Sequence, residues 1–203
     1  MNLNFKIPDN LTRGYGLFEN FLAKKRAQKA DKLIDNNLRS GRILDIGCGS
    51  YPYFLSLTRF QEKYGLDNTY NHEIINNQKI NILKLDIEQT LLPFPDQYFD
   101  VVTMLAFIEH VNPDRLPILL QEIKRVLKKN GQLIITTPPS WVKRLLFVLS
   151  IINFVSKVEI KDHKNSFTEK SLVGIVEKAN FPSEKIRCGL FLYHLNRWLT
   201  ARK

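Results

Sequence analysis

Three carboxylates stand at spacings that can hold a nucleoside. In "ILDIGCGS" (43–50) an apolar run ends at Asp45 and is followed by Gly47 and Gly49. Asp67 closes "KYGLD" eighteen positions after Gly49, and Asp86 closes "ILKLD" with Ile87 next. Two positions without side chains let the backbone turn sharply and approach a ligand that a Cβ would hold away. An acid at this distance from a glycine turn can accept hydrogen bonds from ribose hydroxyls. Asp86 can accept from an exocyclic amine while Ile87 offers an apolar surface to a base, and Asp45 can take a ligand amine or hold the loop amides. Any one of these acids could instead only cap a turn; the ordered set matches the geometry of a nucleoside site. A dinucleotide site needs a third glycine three residues after the second, to seat pyrophosphate at a helix N-terminus. Here that position is Pro52, which points away from NAD and toward a ligand with no phosphate to cradle.

Such residues work only if strands end side by side. "GRILDIGCG" is a short apolar run without alternation, as in a strand buried on both faces. "KYGLD", "INILKLD", "YFDVVTML" and "QLIITTP" are further strands, and "KIRCGLFLYHL" supplies one or two closing strands. Between them lie helical patterns. Phe18, Phe21, Leu22, Ala30, Leu33, Ile34 and Leu38 form an amphipathic stripe, and "YFLSLTRF" is a short helix. "NPDRLPILLQEIKRVLKKNG" is expected to be a helix capped by Asn112, with Pro113 in its first turn and Gly131 at its end. "FTEKSLVGIVEKAN" is a helix opened by Thr168. Alternation of this kind predicts a doubly wound α/β sheet, whose ligands bind beyond the carboxyl ends of the strands where strand order reverses.

The 203 residues fit one domain able to bury a core. With 44% hydrophobic and 25% charged residues the chain is globular. A formal charge of +10 allows an anionic partner, but the bases are scattered; residues 1–40 carry eight against four acids, with no basic tail. Cys48 and Cys188 are too far apart for a local metal or redox motif, no metal site is expected, and the usage suits a reducing cytoplasm. The N-terminus lacks the pattern of a secretory signal.

"ILDIGCGS", "LPFPDQYFDVVTMLAFIEHV" (92–111), "LKKNGQLIITTP" and "DHKNSFTEKSLVGIVEKANF" together resemble the class I S-adenosylmethionine (SAM)-dependent methyltransferases, in particular the small bacterial group with the ubiquinone and menaquinone methyltransferases. The likeness covers about residues 40–190. It implies a Rossmann-like, seven-stranded, mostly parallel sheet with helices on both faces, and a single domain over 1–203. Within it, 1–40 would be a helical cover, 41–140 the SAM-binding core, 141–170 an apolar lid and 171–203 a helix with closing strands. By this resemblance Asp45, Gly47 and Gly49 hold the methionine part of SAM, with Cys48 lending backbone only. Asp67 takes the ribose hydroxyls beside Asn68, Asp86 and Ile87 flank the adenine, and Leu105 and Ala106 line the floor beneath the sulfonium.

Methyl transfer from a sulfonium needs alignment and desolvation more than a fixed triad. A hydroxyl acceptor would call for a base, for which His110 in "FIEHV" and His163 in "DHKNSF" are the candidates. Glu109 could orient a neighbour. The prolines of "TPPSW" (137–141) follow the fifth strand rather than the fourth, unlike the loop of amino-group methyltransferases of nucleic acids, and read as a turn. The apolar stretch from Leu145 to Ser156 would span about 18 Å as a helix, too short for a bilayer. The 141–156 segment therefore suits a lid over an apolar acceptor, a homodimer contact or a peripheral membrane contact. The expected activity is methylation of a small apolar or lipid-linked molecule; an RNA methyltransferase and a non-catalytic SAM-binding module are the alternatives.

Overall fold

The computed structural model describes residues 17–69, 80–142 and 164–203. Its seven strands form one sheet in the order β3-β2-β1-β4-β5-β7-β6. They are β1 (Arg42–Ile46), β2 (Glu62–Asp67), β3 (Ile80–Lys84), β4 (Phe99–Leu105), β5 (Leu127–Thr137), β6 (Ile186–Phe191) and β7 (Asn196–Arg202). β1 to β5 pair in parallel, and β7 runs antiparallel to both β5 and β6. The chain winds outward through β2 and β3, then returns past β1 to β4 and β5. The reversal therefore lies between β1 and β4, where such sheets open a crevice.

Two apolar layers cover the sheet. Helix α1 (Leu17–Leu33) lies on one face with α2 (Tyr53–Leu57), burying Ala27 and Ala30, with Ile34 just past its end, against Ile43, Val101 and Ile134. Phe21, expected in the buried stripe of α1, instead stands 44% exposed. On the other face α3 (Leu116–Val126) and α4 (Glu169–Lys178) bury Leu116, Leu119, Leu120, Ile123, Val126, Leu172 and Val176. The spacing of that α3 stripe is helical, so one face is apolar and the other carries Gln121, Lys124 and Arg125.

The expected α3 boundaries need correction. The regular helix begins at Leu116, later than expected, and Asn112 makes its cap-like bonds in the turn just ahead of it: its Oδ1 accepts the amide N–H of Asp114 (3.1 Å) and its carbonyl takes those of Arg115 and Leu116 (2.9 and 3.1 Å). Gly131 does not end it. Leu127 is already extended (φ −69°, ψ 136°), because its fully buried side chain belongs to β5 and pairs with Phe99 of β4. Gly131 sits inside β5 at a register shift against β4, where a Cβ would come 2.9 Å from the Lys128 carbonyl oxygen. The second closing strand, "NRWLTAR", lies beyond the segment expected to provide it.

α4 begins as its sequence implies. The Ser171 amide donates to Thr168 Oγ1 (3.1 Å) while the Thr168 amide donates to Ser171 Oγ (2.9 Å), satisfying two backbone donors that the first turn leaves unpaired. Thr168→Ala should cost about 1 kcal/mol of unfolding free energy, read as a lower urea midpoint with unchanged slope.

Candidate active site

The site grows from the first strand tip. Gly47 and Gly49 take φ of +76° and +77°, a left-handed geometry that a side chain would strain. The Gly47 and Cys48 amides both donate to the Leu66 carbonyl (2.8 and 3.2 Å), and the Gly49 amide donates to Asp67 Oδ2 (2.9 Å). The bend after β1 is thus fastened to the acid that ends β2. Asp67 Oδ1 also accepts the Thr69 amide (2.8 Å) and hydroxyl, so its carboxylate is held in one orientation. A Cβ on Gly49 would find nothing nearer than 3.8 Å, leaving its bare face open to a ligand. A Cβ on Gly47 would fall 2.0 Å from Phe107 Cδ2, because the Phe107 ring lies on that glycine.

Asp45 lies beneath this bend, 3% exposed. It pairs in register with Thr103 of β4, whose hydroxyl donates to Asp45 Oδ1 (2.6 Å). Burial, with a smaller push from the charge of nearby Asp67, raises the Asp45 carboxyl to about 7 against the pull of the Thr103 hydrogen bond. Cys48 is buried, and burial likewise pushes its thiol well up, so it supplies packing and an amide rather than a nucleophile.

A cavity of about 340 Å³ opens beside the bend, lined by Gly47, Asp67, Asn68, Asp86, Ile87 and His110 together with Leu66, Leu85, Glu88, Phe107, Val111 and Lys164. Its size falls in the range of small-molecule sites. Asp86 lies two residues past the end of β3, with Oδ1 accepting the Glu88 amide (3.0 Å) and Oδ2 accepting Gln89 Nε2 (3.0 Å). Glu88 takes the Asn112 amide (2.8 Å) and an ion pair from Lys164 Nζ (2.8 Å), which holds its carboxyl below the usual range. Asn165 fastens the same returning segment: its amide donates to the Glu109 carbonyl (3.0 Å) and its side chain to the Val111 carbonyl.

The tip of β4 aims the far wall. Ala106 adopts φ +52°, disfavoured for a residue with a Cβ, and its amide is tied to the Thr136 carbonyl (2.8 Å) and hydroxyl (3.2 Å) of β5. A single 3-10 turn, Ile108–His110, follows. It presents His110 to the cavity and turns Glu109 inward, 2% exposed, where the Thr137 hydroxyl donates to its Oε2 (3.1 Å). Burial raises the Glu109 carboxyl, opposed by the charges of His110 and Arg26.

Six of the residues singled out from sequence therefore line one cavity. Asp45, Cys48, Gly49, Leu105 and Ala106 support it from the strand tips without being among its lining residues. His163 and 143–163 of the apolar segment lie outside the described residues. Phe107, Glu88, Lys164 and Asn165 were not foreseen. Lys164 meets Glu88 across 76 positions of sequence, and no local pattern announces such a pair.

A methyltransferase domain model matches residues 18–185. The chain belongs to the methyltransferase domain family. The cofactor of its SAM-dependent members fits this site, where bare glycine backbone and strand-tip acids meet. A ubiquinone biosynthesis O-methyltransferase of Pelagibacter ubique is 26% identical over 176 residues, 83% of this chain and 71% of that protein. A demethylmenaquinone methyltransferase of Geobacillus kaustophilus is 32% identical over 114 residues, 51% of this chain and 48% of that protein. The chain thus spans about half the length of the second relative. A SAM-dependent methyltransferase structure from Archaeoglobus fulgidus superposes with a TM-score of 0.69 at 21% identity, over 92% of this chain and 98% of that one. The Rossmann-like fold of this methyltransferase domain is shared with it. Among the described residues no helix is long and apolar enough to cross a membrane, and no His, Cys, Asp and Glu cluster could hold a metal ion.

Two outcomes test this geometry. An unfolded aspartate releases its proton near pH 4, whereas folded Asp45 keeps its proton to about 7. Its contribution to stability is full below about pH 4 and lost as pH rises toward 7, amounting to about 2–4 kcal/mol. Asp45→Asn should therefore unfold at higher urea than the parent at about pH 8, with the gap closing at about pH 5. Asp67→Asn should weaken SAM binding by about 10- to 100-fold, the worth of hydrogen bonds to a charged acceptor; calorimetry showing equal affinity would remove Asp67 from the site.

Proposed function

We propose that this methyltransferase domain carries the methyl group of SAM to a small, apolar or lipid-linked acceptor, most simply at a hydroxyl. The observation that supports it is that His110 lines the same cavity as the strand-tip acids Asp67 and Asp86. When bound, SAM supplies an electrophilic methyl on a good leaving group. The chain's own work is then to hold and align. Asp67 accepts the ribose hydroxyls with Asn68 beside it, Asp86 accepts the exocyclic amine, Ile87 packs on the base, and the Gly47–Gly49 bend receives the methionine part. Asp67, Asp86 and Glu88 give the cavity an acidic lining in a chain of formal charge +10, which suits a cationic ligand.

His110 has the remaining chemical role. A neutral imidazole facing the cavity can take the acceptor hydroxyl proton as the oxygen attacks. The Pelagibacter relative is named an O-methyltransferase of ubiquinone biosynthesis, which supports methylation at an oxygen. We place the acceptor against the 141–156 segment, with His163 as a second base candidate.

His110→Ala should lower kcat by about 10²- to 10⁴-fold, the usual contribution of a general base, while SAM affinity changes little. Formation of S-adenosylhomocysteine from SAM with a bacterial lipid extract is the assay. SAM binding without any turnover across such extracts would leave only a binding module, and an unchanged kcat in His110→Ala would demote the histidine to lining.

A further inference from the structure

Among the described residues, exposed aromatic side chains lie toward one edge of the sheet. Among the described side chains, Phe21 (44%), Trp141 (48%) and Tyr193 (92%) are the aromatics that stand exposed. Trp141 lies four residues past the end of β5, and Tyr193 lies in the turn between β6 and β7. Helix α1 runs alongside β7: Arg26 Nε donates to Asn196 Oδ1 (3.1 Å), and Lys29 Nζ stands 4.8 Å from the centre of the Trp198 ring. Phe21, five residues before Arg26, therefore projects about 7.5 Å beyond the start of β7. Because β7 is antiparallel to β5 and begins opposite Thr137, all three aromatics surround the edge where the parallel strands end. The cavity and His110 lie at that same edge.

The turn that carries Tyr193 is strained. Leu192, Tyr193 and His194 take φ of +53°, +51° and +67° in succession, none of them glycine. Non-glycine residues visit this region singly, since each places Cβ against the following carbonyl. The turn is closed by the Leu195 amide on the Leu192 carbonyl (3.0 Å) and by the pairing of Phe191 with Asn196. Its result is a tyrosine held almost wholly in solvent, with Leu190 39% exposed on the adjoining strand. Strain of this kind persists where the displayed group has a use.

The charge of α1 beside these rings is predominantly positive, five bases against Glu19 and Asp31. From Asn20 to Ala30, α1 carries Lys24, Lys25, Arg26 and Lys29 and no acid. Tyrosine and tryptophan, apolar in the body and polar at the tip, suit the boundary between headgroups and acyl chains. Neither a lone ring nor a few lysines anchors a protein well, but the two together do.

We propose that this rim docks on an anionic lipid surface, with Tyr193 and Leu190 entering the headgroup layer, Phe21 and Trp141 flanking them, and Lys24 and Lys25 facing the phosphates. Docked in this way, the protein turns its strand-tip edge, and with it the cavity, toward the bilayer. An acceptor confined to the membrane could then reach the site without crossing water. Lipid docking requires neither SAM nor an acceptor, so its failure would leave the proposed methyl acceptor standing.

The test is sedimentation of the full chain, without SAM, with phosphatidylcholine vesicles lacking or containing phosphatidylglycerol. Binding should require the anionic lipid and weaken as salt is raised. Tyr193→Ser should reduce the partition coefficient several-fold, and Lys24→Gln with Lys25→Gln should reduce it by about fivefold per charge. Both variants should keep the parental circular dichroism and SAM affinity, because neither alters the cavity. A blue shift of tryptophan emission on vesicle addition should accompany binding. Equal sedimentation with neutral and anionic vesicles, or equal partitioning of parent and variants, would overturn the proposal. So would a dimer in solution that Tyr193→Ser dissolves, since the rim would then be the contact between two copies.

Discussion

The hydrogen bond from the Gly49 amide to the Asp67 carboxylate joins the two strand tips on which the site depends. It fixes the bend after β1 and aims the acid at the end of β2 at the same time. Both partners require the sheet. β1 and β2 run parallel with Asp45 opposite Gly65, so the bend and the acid arrive at one edge. The left-handed geometry of Gly47 and Gly49 then lets two further amides reach the Leu66 carbonyl. A side chain at Gly47 would strike Phe107, so the bend, the β2 tip and the β4 tip form one packed unit.

Charge is distributed against the average of the molecule. A chain of formal charge +10 concentrates Asp67, Asp86 and Glu88 around one cavity, with Asp45 buried below. Burial away from water raises the deeper acid, Asp45, toward 7, with the charge of Asp67 adding a smaller push, and Asp67 itself is oriented by backbone donors. The Glu88–Lys164 pair balances the rim without neutralising the tips.

The β4 tip shows how a strained backbone places a side chain at the cavity. Ala106 keeps an unfavourable φ while its amide donates to the Thr136 carbonyl and hydroxyl oxygens, and the turn that follows sends consecutive residues to opposite destinations. His110 faces the cavity, while Glu109 is drawn under Thr137. The β6–β7 turn, at the same edge of the sheet, uses left-handed geometry to the opposite effect, displaying Tyr193 rather than aiming a side chain inward.

Local pattern by itself determined much of this protein. The buried strands were legible because parallel strands covered on both faces must be apolar throughout, and Thr168 could be read as a cap because capping involves residues three apart. The bend and its acids were legible because ligand contacts concentrate at strand tips, so Gly47, Asp67, Asp86 and Ile87 reached one cavity as their spacing implied. What only tertiary structure decided were matters of competition and distance. The end of α3 was set by β5 claiming Leu127, against a helical pattern that runs on to Gly131. Asp45 became a buried brace because Thr103 stands opposite it in another strand. Glu88 met Lys164, Phe107 met Gly47, and Phe21 was left in solvent, each through packing between segments far apart in the chain. Periodicity reports which face of an element is apolar, but it carries no record of which distant residue will be waiting there.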